Sequence, residues 1–180
     1  MSERVALITG GAKGIGGAIG LDLADRGWSV ALCYRTSEKE GSETAEAIRK
    51  KGARALSVRA DVSDPKAAEV FVKQVEGEWG RIDALINAAG PYHRVNLLEE
   101  TIEGWHAMFD HNLHPLFYLS RLVAPGMIER GSGSIVNITS VHGLVASSPN
   151  RQVGYVASKT GLVGLTRELG CQWATDGVRV

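Results

Sequence analysis

The stretch Thr9-Gly10-Gly11-Ala12-Lys13-Gly14-Ile15-Gly16 joins an apolar run, Val5-Ala6-Leu7-Ile8, to an apolar-periodic segment that opens at Ile15. This order predicts a strand, a glycine turn and a helix. Glycine accepts positive φ and close neighbours, and the first turn of a helix offers unpaired N–H groups at its positive dipole end. The stretch therefore predicts a seat for a pyrophosphate, although the general dinucleotide fingerprint spaces its glycines G-x-G-x-x-G. A turn that is glycine-rich for packing alone is the alternative.

Strand and helix signals alternate along the rest of the chain. Strands are predicted at residues 5–8, 28–34, 53–60, 82–87 and 134–138, and helices at residues 15–26, 38–51, 65–79, about 101–129 with a break at Pro115 and a possible one at Pro125, and about 153–175. Ser37 and Glu40 have the spacing of a capping box, and Asp64-Pro65 is a typical helix start. The alternation predicts an α/β fold of the Rossmann type, a doubly wound parallel sheet with helices on both faces.

Length and charge limit the classes of protein and partner. The 180 residues predict a single domain, 1–180, and the 20 basic residues balance the 20 acidic ones without a basic run, so neither nucleic acid nor an anionic membrane is expected as a partner. No apolar stretch approaches the roughly 18 residues of a membrane helix, and no signal-peptide pattern follows Met1, which predicts a cytoplasmic protein. The ending Gly177-Val178-Arg179-Val180 looks like a helix stop and the start of a strand with little to pair with, which predicts a C-terminal truncation that removes further strands.

No metal site is predicted. Cys33 and Cys171 are the only cysteines, lie in apolar patterns without ligand spacing, and are predicted to be buried small hydrophobes. His111 and His114 are three apart on a predicted helix, but no carboxylate or thiol is placed with them, so packed or solvated histidines are favoured.

A tyrosine and a lysine lie early in the last predicted helix, in Tyr155-Val156-Ala157-Ser158-Lys159, and their four-residue spacing places them on one face. A free phenol releases its proton only near pH 10. An ammonium about 5 Å away stabilises the phenolate by on the order of 3 kcal/mol at an effective dielectric near 20, which predicts an acid–base group. Tyr-x-x-x-Lys alone is common, and a packed helix pair is the alternative. Ligands of doubly wound sheets bind outside the carboxyl ends of the strands, and the loop after the fifth strand brings Ser140 to that edge.

Taken together, these segments resemble the main branch of the short-chain dehydrogenase/reductase family. The matching pieces are Thr9 to Gly16, Asp61-Val62, Asn87-Ala88-Ala89-Gly90, Asn112, Ser140 and Tyr155 to Lys159, in the family's order. The resemblance covers the whole chain and implies hydride transfer between a nicotinamide cofactor and a carbonyl or secondary alcohol. The chain is most similar to the 3-oxoacyl-acyl-carrier-protein reductase group, although reductases of sugars, steroids and small ketones share every one of these motifs.

The resemblance implies four catalytic residues. Tyr155 would exchange a proton with the substrate oxygen, and Lys159 would favour its phenolate and hydrogen-bond the nicotinamide ribose. Ser140 would donate to the same oxygen, a contribution of the oxyanion-hole kind. Asn112, three residues before Pro115, would belong to a proton relay from Lys159 through water; a polar residue that merely bends the helix is the alternative.

The same resemblance implies the cofactor contacts. The glycine turn would contribute Thr9, Gly10, Lys13, Gly14, Ile15 and Gly16. Asp61 would accept a hydrogen bond from the adenine amino group, Val62 would pack beside the ring, and Asn87, Ala88, Ala89 and Gly90 would line the adenosine side. NAD-specific sites end strand two with a carboxylate, but here Tyr34 and Arg35 stand there, and Arg35 with Lys13 could meet a 2′-phosphate, so NADP(H) is predicted over NAD(H).

The resemblance also bears on the substrate and on partner subunits. The expected substrate is a small carbonyl or alcohol, with an acyl-carrier-protein or CoA thioester as one option, and His93 and His142 follow the loops that could touch it. Trp105, Phe109, Phe117 and Trp173 occupy apolar helix positions that predict core, although the family often forms tetramers or dimers through these helices. Gly-x-Ser-x-Gly and Walker lysine motifs are absent, which argues against a hydrolase or a P-loop protein. The competing function class is a catalytically silent nucleotide-binding module.

Overall fold

The computed structural model describes residues 4–180 and contains one parallel sheet in the order β3-β2-β1-β4-β5-β6. The strands are β1 Arg4–Thr9, β2 Trp28–Tyr34, β3 Ala55–Arg59, β4 Ala84–Asn87, β5 Gly133–Asn137 and β6 Val178–Arg179. The helices are α1 Gly14–Asp25, α2 Glu38–Lys50, α3 Pro65–Trp79, α4 Ile102–Asn112, α5 His114–Glu129 and α6 Val153–Gln172, with 3₁₀ turns at Val141–Gly143 and Ala174–Asp176. The predicted doubly wound sheet is confirmed. Within the described residues, no helix is both long and apolar enough to cross a membrane.

The core lies on both faces of the sheet because side chains alternate along each strand. On β1, Val5 and Leu7 join one apolar cluster, whereas Ala6 and Ile8 join the other. The first cluster includes Phe71 of α3 and residues of α5, and the second includes residues of α1 and α2. Near-continuous apolar strands are therefore what a sheet covered on both faces requires.

Several local signals are confirmed at the helix ends. Gly27, Gly52 and Gly80 follow α1, α2 and α3 with φ of 74°, 84° and 73°, the left-handed conformation that glycine tolerates best. Asp64 caps α3 by accepting a hydrogen bond from the amide of Lys66.

Other local predictions are wrong. Ser37 makes no side-chain cap on α2, and Glu40 instead pairs with Lys13, so the predicted capping box does not form. The long helical region is broken as predicted, but the break falls at Leu113, and Pro115 lies in the first turn of α5, where its missing N–H does no harm. Pro125 lies inside α5 without ending the helix.

Two residues predicted to be buried are exposed. Cys171 lies on the surface of α6, and Phe117 of α5 is 50% exposed. Cys33 is buried as predicted, and burial raises the pKa of its thiol to about 12. The apolar periodicity therefore identified the helices correctly but not which side of each helix meets the sheet.

The last described strand is paired. Val178 and Arg179 lie parallel to β5, opposite Gly133 and Ser134. The expectation that a strand at this position has little to pair with is therefore wrong, and β6 forms the edge of the sheet beside β5.

Candidate active site

The site lies where the strand order reverses. β1 pairs with β2 on one side and β4 on the other, so the loops after β1 and β4 diverge from a common edge. Gly10 and Ala89 meet there: a Cβ added at Gly10 would lie 2.9 Å from Cα of Ala89. The predicted glycine turn and the turn after β4 are therefore in direct backbone contact.

The glycine turn leaves the start of α1 open. Gly10 and Gly14 have φ of 63° and 59°, and a Cβ at Gly16 would lie 2.5 Å from the carbonyl oxygen of Gly10. Lys13 precedes the helix in extended conformation, and among the described residues no side chain caps α1. The first-turn N–H groups can therefore bind a phosphate, which fits a dinucleotide. Ile15 is 61% exposed beside them.

Thr9 is buried, and its hydroxyl holds the neighbouring turn. Oγ1 accepts hydrogen bonds from the amides of Ala88 and Ala89, each 3.1 Å long. These two residues were predicted to line the adenosine side of the cofactor. The structure shows that Thr9 sets the position of their backbone.

We expect Thr9→Val to lower the free energy of unfolding by about 2 kcal/mol, because the half-buried backbone N–H groups of Ala88 and Ala89 lose their acceptor. Thr9→Ser keeps the hydroxyl and is the matched control, with a smaller loss. Urea unfolding of the three proteins measures the difference. Equal stability of the valine variant and wild type would contradict the role assigned to the hydroxyl.

A cleft of about 260 Å³ begins at the glycine turn. Its lining includes residues predicted for the cofactor and some that were not: Gly10, Lys13, Tyr34, Arg35, Asp61, Val62, Ala89, Gly90, Pro91, His111 and Pro115. Asp61 accepts hydrogen bonds from the amide and hydroxyl of Ser63. Burial alone would raise the pKa of Asp61, but these hydrogen bonds and the charge of Arg35 outweigh it and leave the pKa lowered.

The two predicted phosphate-binding cations already have partners. Nζ of Lys13 lies 2.8 Å from Oε1 of Glu40, and Nη1 of Arg35 lies 3.8 Å from Oδ2 of Asp61 and 3.2 Å from Nε2 of His111. Lys13 and Arg35 keep 63% and 53% of their side-chain surface exposed, so these pairs are weak and easily exchanged. Sequence reasoning missed Glu40 because it assigned this residue to a capping box.

Asn87 is buried and ties the sheet to α6. Its Nδ2 donates to Oδ1 of Asn137 at 2.9 Å, and Nδ2 of Asn137 donates to Oγ1 of Thr166 at 2.9 Å. The hydroxyl of Thr166 donates to the carbonyl of Leu162 within α6. The predicted stabilisation of β4 by Asn87 agrees with this chain, whereas no sequence signal had pointed to Asn137 or Thr166.

Asn112 and Lys159 lie beside Gly90, which lines the cleft. A Cβ added at Gly90 would overlap Oδ1 of Asn112 and lie 3.4 Å from Nζ of Lys159. Asn112 is buried, and its Nδ2 donates to the carbonyl of Pro91 at 3.2 Å. Its Oδ1 has no hydrogen-bond partner among residues 4–180, which suits the predicted relay through water.

Lys159 joins the end of β5 to α6. It is only 6% exposed, and its Nζ donates to the carbonyl of Ile138 at 3.0 Å. Burial lowers the pKa of Lys159 to about 8. Its Nζ lies 5.8 Å from the centroid of the Tyr155 ring, so the two side chains share one side of α6, as their four-residue spacing predicts.

Ser140 is on a turn that packs against the same helix. Its Oγ accepts a hydrogen bond from the amide of His142 at 3.2 Å and caps the 3₁₀ turn. A Cβ at Gly143 of that turn would lie 2.9 Å from the carbonyl oxygen of Lys159. The turn that carries Ser140 is therefore in contact with the helix of Tyr155 and Lys159. Nδ1 of His142 is buried without a partner in the described chain.

Lys159→Met is expected to flatten the dependence of stability on pH. Folding lowers the pKa of Lys159 from 10.5 to about 8. Between pH 8 and pH 10.5, Lys159 is therefore protonated in the unfolded chain but not in the folded one. The free energy of unfolding of the wild type therefore rises across this window, by up to about 3 kcal/mol. Denaturant unfolding below pH 8 and near pH 10.5 measures the rise, with the exposed Lys39→Met as control. An unchanged rise in Lys159→Met would contradict the assignment.

The sheet order, its reversal at β1 and the glycine turn define the class of doubly wound, dinucleotide-binding folds. A family model described as short chain dehydrogenase matches residues 4–180. The chain belongs to the short-chain dehydrogenase/reductase family, which confirms the predicted resemblance.

Relatives of similar identity are named for different substrates. The chain is 34% identical over 177 residues to the 3-oxoacyl-[acyl-carrier-protein] reductase FabG of Staphylococcus aureus, covering 98% of this chain and 71% of that protein. It is 33% identical over 180 residues to the cyclohexanol dehydrogenase of an Acinetobacter species, covering 99% of this chain and 70% of the relative. Actinorhodin polyketide ketoreductase, solved as a variant with NADPH, superposes with a TM-score of 0.93 at 35% identity, covering 99% of this chain and 68% of that one.

Proposed function

We propose that this protein is an NADP(H)-dependent oxidoreductase that interconverts a carbonyl and a secondary alcohol, with Tyr155 as acid–base group. The observation that carries the proposal is the position of Lys159, which contacts the end of β5, borders Gly90 of the cleft and lies 5.8 Å from the Tyr155 ring. These contacts support a role for the Lys159 cation beside both Tyr155 and the nucleotide-binding edge. The nicotinamide group, when bound, supplies the hydride to the carbonyl carbon or accepts it from the alcohol.

The chain's own residues handle the proton. Tyr155 donates its hydroxyl proton to the carbonyl oxygen during reduction and takes it back during oxidation. The ammonium of Lys159 stabilises the phenolate that results. Ser140 donates a hydrogen bond to the same substrate oxygen. Oδ1 of Asn112, which has no hydrogen-bond partner in the described part of the chain, accepts a hydrogen bond from a relay water.

For the substrate, we propose a 3-oxoacyl thioester carried by acyl-carrier protein or CoA. Relatives named for this reaction support it, but a relative named for cyclohexanol is nearly as similar. A sugar, steroid or small-ketone reductase is therefore the alternative within the family. Outside that class, the alternative is a silent nucleotide-binding module.

One absorbance experiment separates these functions. NADPH consumption is followed with a 3-oxoacyl thioester, cyclohexanone and a hydroxylated ketone, and NADPH binding is measured by fluorescence. The fastest turnover with the thioester supports the proposal, and preference for another ketone supports the alternative substrate. NADPH binding without turnover on any of the three would overturn the enzyme assignment in favour of the silent module.

We propose NADP(H) over NAD(H) because Arg35 and Lys13 line the cleft where strand two ends. Arg35→Ala is expected to weaken NADPH binding about 30-fold, the loss of one charge-assisted partner worth ~2 kcal/mol, and to leave NADH binding unchanged. Fluorescence titration of both cofactors measures this. Arg26→Ala is the control, because the guanidinium of Arg26, just after α1, pairs with Asp22 of that helix. Tighter binding of NADH than of NADPH, unaffected by Arg35→Ala, would contradict the assignment.

We also propose a cytoplasmic homo-oligomer, either a tetramer or a dimer. An apolar groove between α5 and the end of α6 supports self-association, and its lining includes Phe117, Pro125, Ile128, Leu169 and Trp173. Half of the Phe117 surface is exposed in this groove. Exposed apolar patches of this kind commonly mark a protein–protein interface.

A further inference from the structure

The loop between β4 and α4 places a second tyrosine against Tyr155. The rings of Tyr92 and Tyr155 are 5.0 Å apart between centroids and nearly perpendicular, at 85°. This edge-to-face geometry is the favourable arrangement for an aromatic pair. Tyr92 is nevertheless 52% exposed, so much of its ring is open to a molecule that approaches Tyr155.

Arg94 supports Tyr92 from the same loop. Its Nε donates to the hydroxyl of Tyr92 at 2.5 Å, and its guanidinium carbon lies 5.2 Å from the ring centroid. The hydrogen bond restrains the ring at its hydroxyl end, and the cation–π contact restrains its face. Tyr92 therefore contacts both Arg94 and Tyr155.

A buried carboxylate anchors the other end of this loop. The side chain of Glu100 is only 6% exposed, and its Oε2 lies 3.4 Å from Nε2 of His93. A Cβ at Gly104 would overlap Oε1 of Glu100, and a Cβ at Gly154 would lie 3.5 Å from Oε2. Glu100 therefore occupies a space between the first turns of α4 and α6 that two glycines keep open.

The position of this carboxylate has a physical reason. Removing a carboxylate from water is costly unless positive groups compensate. The first turns of α4 and α6, where helix dipoles are positive, border Glu100 at Gly104 and Gly154. Nε2 of His93 lies 3.4 Å from Oε2 of Glu100, and within the described chain the two atoms are close but not hydrogen-bonded. His93 is next to Tyr92, and Gly154 is next to Tyr155, so the Glu100 contacts join the two segments that carry the paired rings.

We propose that Tyr92 orients the substrate at Tyr155 and that the His93–Glu100 pair is the positioning anchor that holds Tyr92 in place. The proposal rests on the proposed function and narrows its substrate class to carbonyl compounds with an alkyl or aryl group beside the carbonyl. The exposed ring of Tyr92 offers such a group an apolar contact. Val141 and Leu144, beside Ser140, are 65% and 67% exposed and apolar as well.

Steady-state kinetics test the role of Tyr92. Tyr92→Ala is expected to raise KM for cyclohexanone about tenfold with kcat within about twofold, because an apolar contact with the bound substrate is lost. KM for a hydroxylated ketone such as dihydroxyacetone stays the same, and so does the Kd of NADPH. An equal rise in KM for both ketones, or no rise for either, would overturn the substrate role.

A double-mutant cycle tests the anchor. Glu100→Gln keeps the shape of the side chain but removes its charge, and it is expected to raise KM for cyclohexanone about fivefold. Because the anchor acts through Tyr92, adding Glu100→Gln to Tyr92→Ala produces no further rise. Glu99→Gln, at the exposed neighbouring residue, is the control and leaves KM unchanged. Additive effects of the two substitutions would overturn the coupling.

Amide hydrogen exchange tests the His93–Glu100 anchor without requiring enzyme activity. Amides in residues 91–100 are expected to exchange about tenfold faster in Glu100→Gln than in wild type or Glu99→Gln, because the loop opens more often. Equal exchange in all three proteins would overturn the anchor. A wild type without turnover would overturn the proposed function and with it the substrate role of Tyr92. The role of the anchor is tested independently, by the exchange rates alone.

Discussion

Tyr155→Phe is expected to lower kcat by about 10³-fold, within the range that one positioned acid–base group contributes. The substitution removes a single oxygen and keeps the ring, so the edge-to-face contact with Tyr92 and the contact with Lys159 remain. Without the hydroxyl, no proton reaches the substrate oxygen as the hydride arrives. NADPH oxidation measured with the fastest ketone, together with the Kd of NADPH, separates lost chemistry from lost binding.

Tyr118→Phe is the matched control. Tyr118 lies on α5 against His114 and Phe117 and is a partly buried tyrosine away from the cleft. The substitution removes the same oxygen atom as Tyr155→Phe does. Its kcat should stay within about twofold of the wild type, since it touches no reacting group. Full activity in Tyr155→Phe, with Tyr118→Phe unaffected, would show that the phenol of Tyr155 is not the proton donor.

Gly10→Ala is expected to lower the free energy of unfolding by about 4 kcal/mol, the sum of a left-handed backbone strain of 1–2 and an overpacking term of 1–3. Gly10 has a φ of 63°, and an added Cβ would lie 2.9 Å from Cα of Ala89. A backbone atom cannot rotate away as a flexible side chain can. The turn after β4 must therefore move, which disturbs the hydrogen bonds from Ala88 and Ala89 to Thr9.

Gly14→Ala separates strain from contact. Gly14 has nearly the same φ, 59°, but an added Cβ would meet nothing within 4 Å. Its loss should be only about 1–2 kcal/mol, from strain alone. Urea unfolding of both variants gives the difference, which measures the contact between the two turns. Equal losses would mean that the turns after β1 and β4 are not packed as the structure has them.

The strands and helix ends could be predicted because their signals are local. Strand β2 was predicted with its observed bounds, Trp28–Tyr34, because its apolar run begins directly after the stop at Gly27. Long-range competition explains the errors: Glu40 could cap α2, but Lys13 provides a partner 27 residues away. A local motif indicates only which hydrogen bonds are possible, and the tertiary contacts of the folded chain determine which of them form.

The motifs of the candidate site could be recognised in the sequence, but the contacts that hold those motifs in position could not. Tyr155 and Lys159 share one helix, so their spacing alone indicated that they meet. Thr9 was assigned to the cofactor, and its hydrogen bonds to residues 79 and 80 positions away only become visible when β1 and β4 pair. Tyr92 and Glu100 carried no motif, because a loop residue reveals its role only through what packs on it.

The sequence by itself determined the alternation of strands and helices, the glycine turn and the spacing of Tyr155 and Lys159 on one helix, since each is read from residues only a few positions apart. Tertiary structure alone decided the contacts among Gly90, Asn112 and Lys159, and the place of Glu100 between two helices. The reason is physical. Strand order and helix packing bring together groups that are dozens of residues apart, and the spaces they share are set by neighbours that no local pattern records.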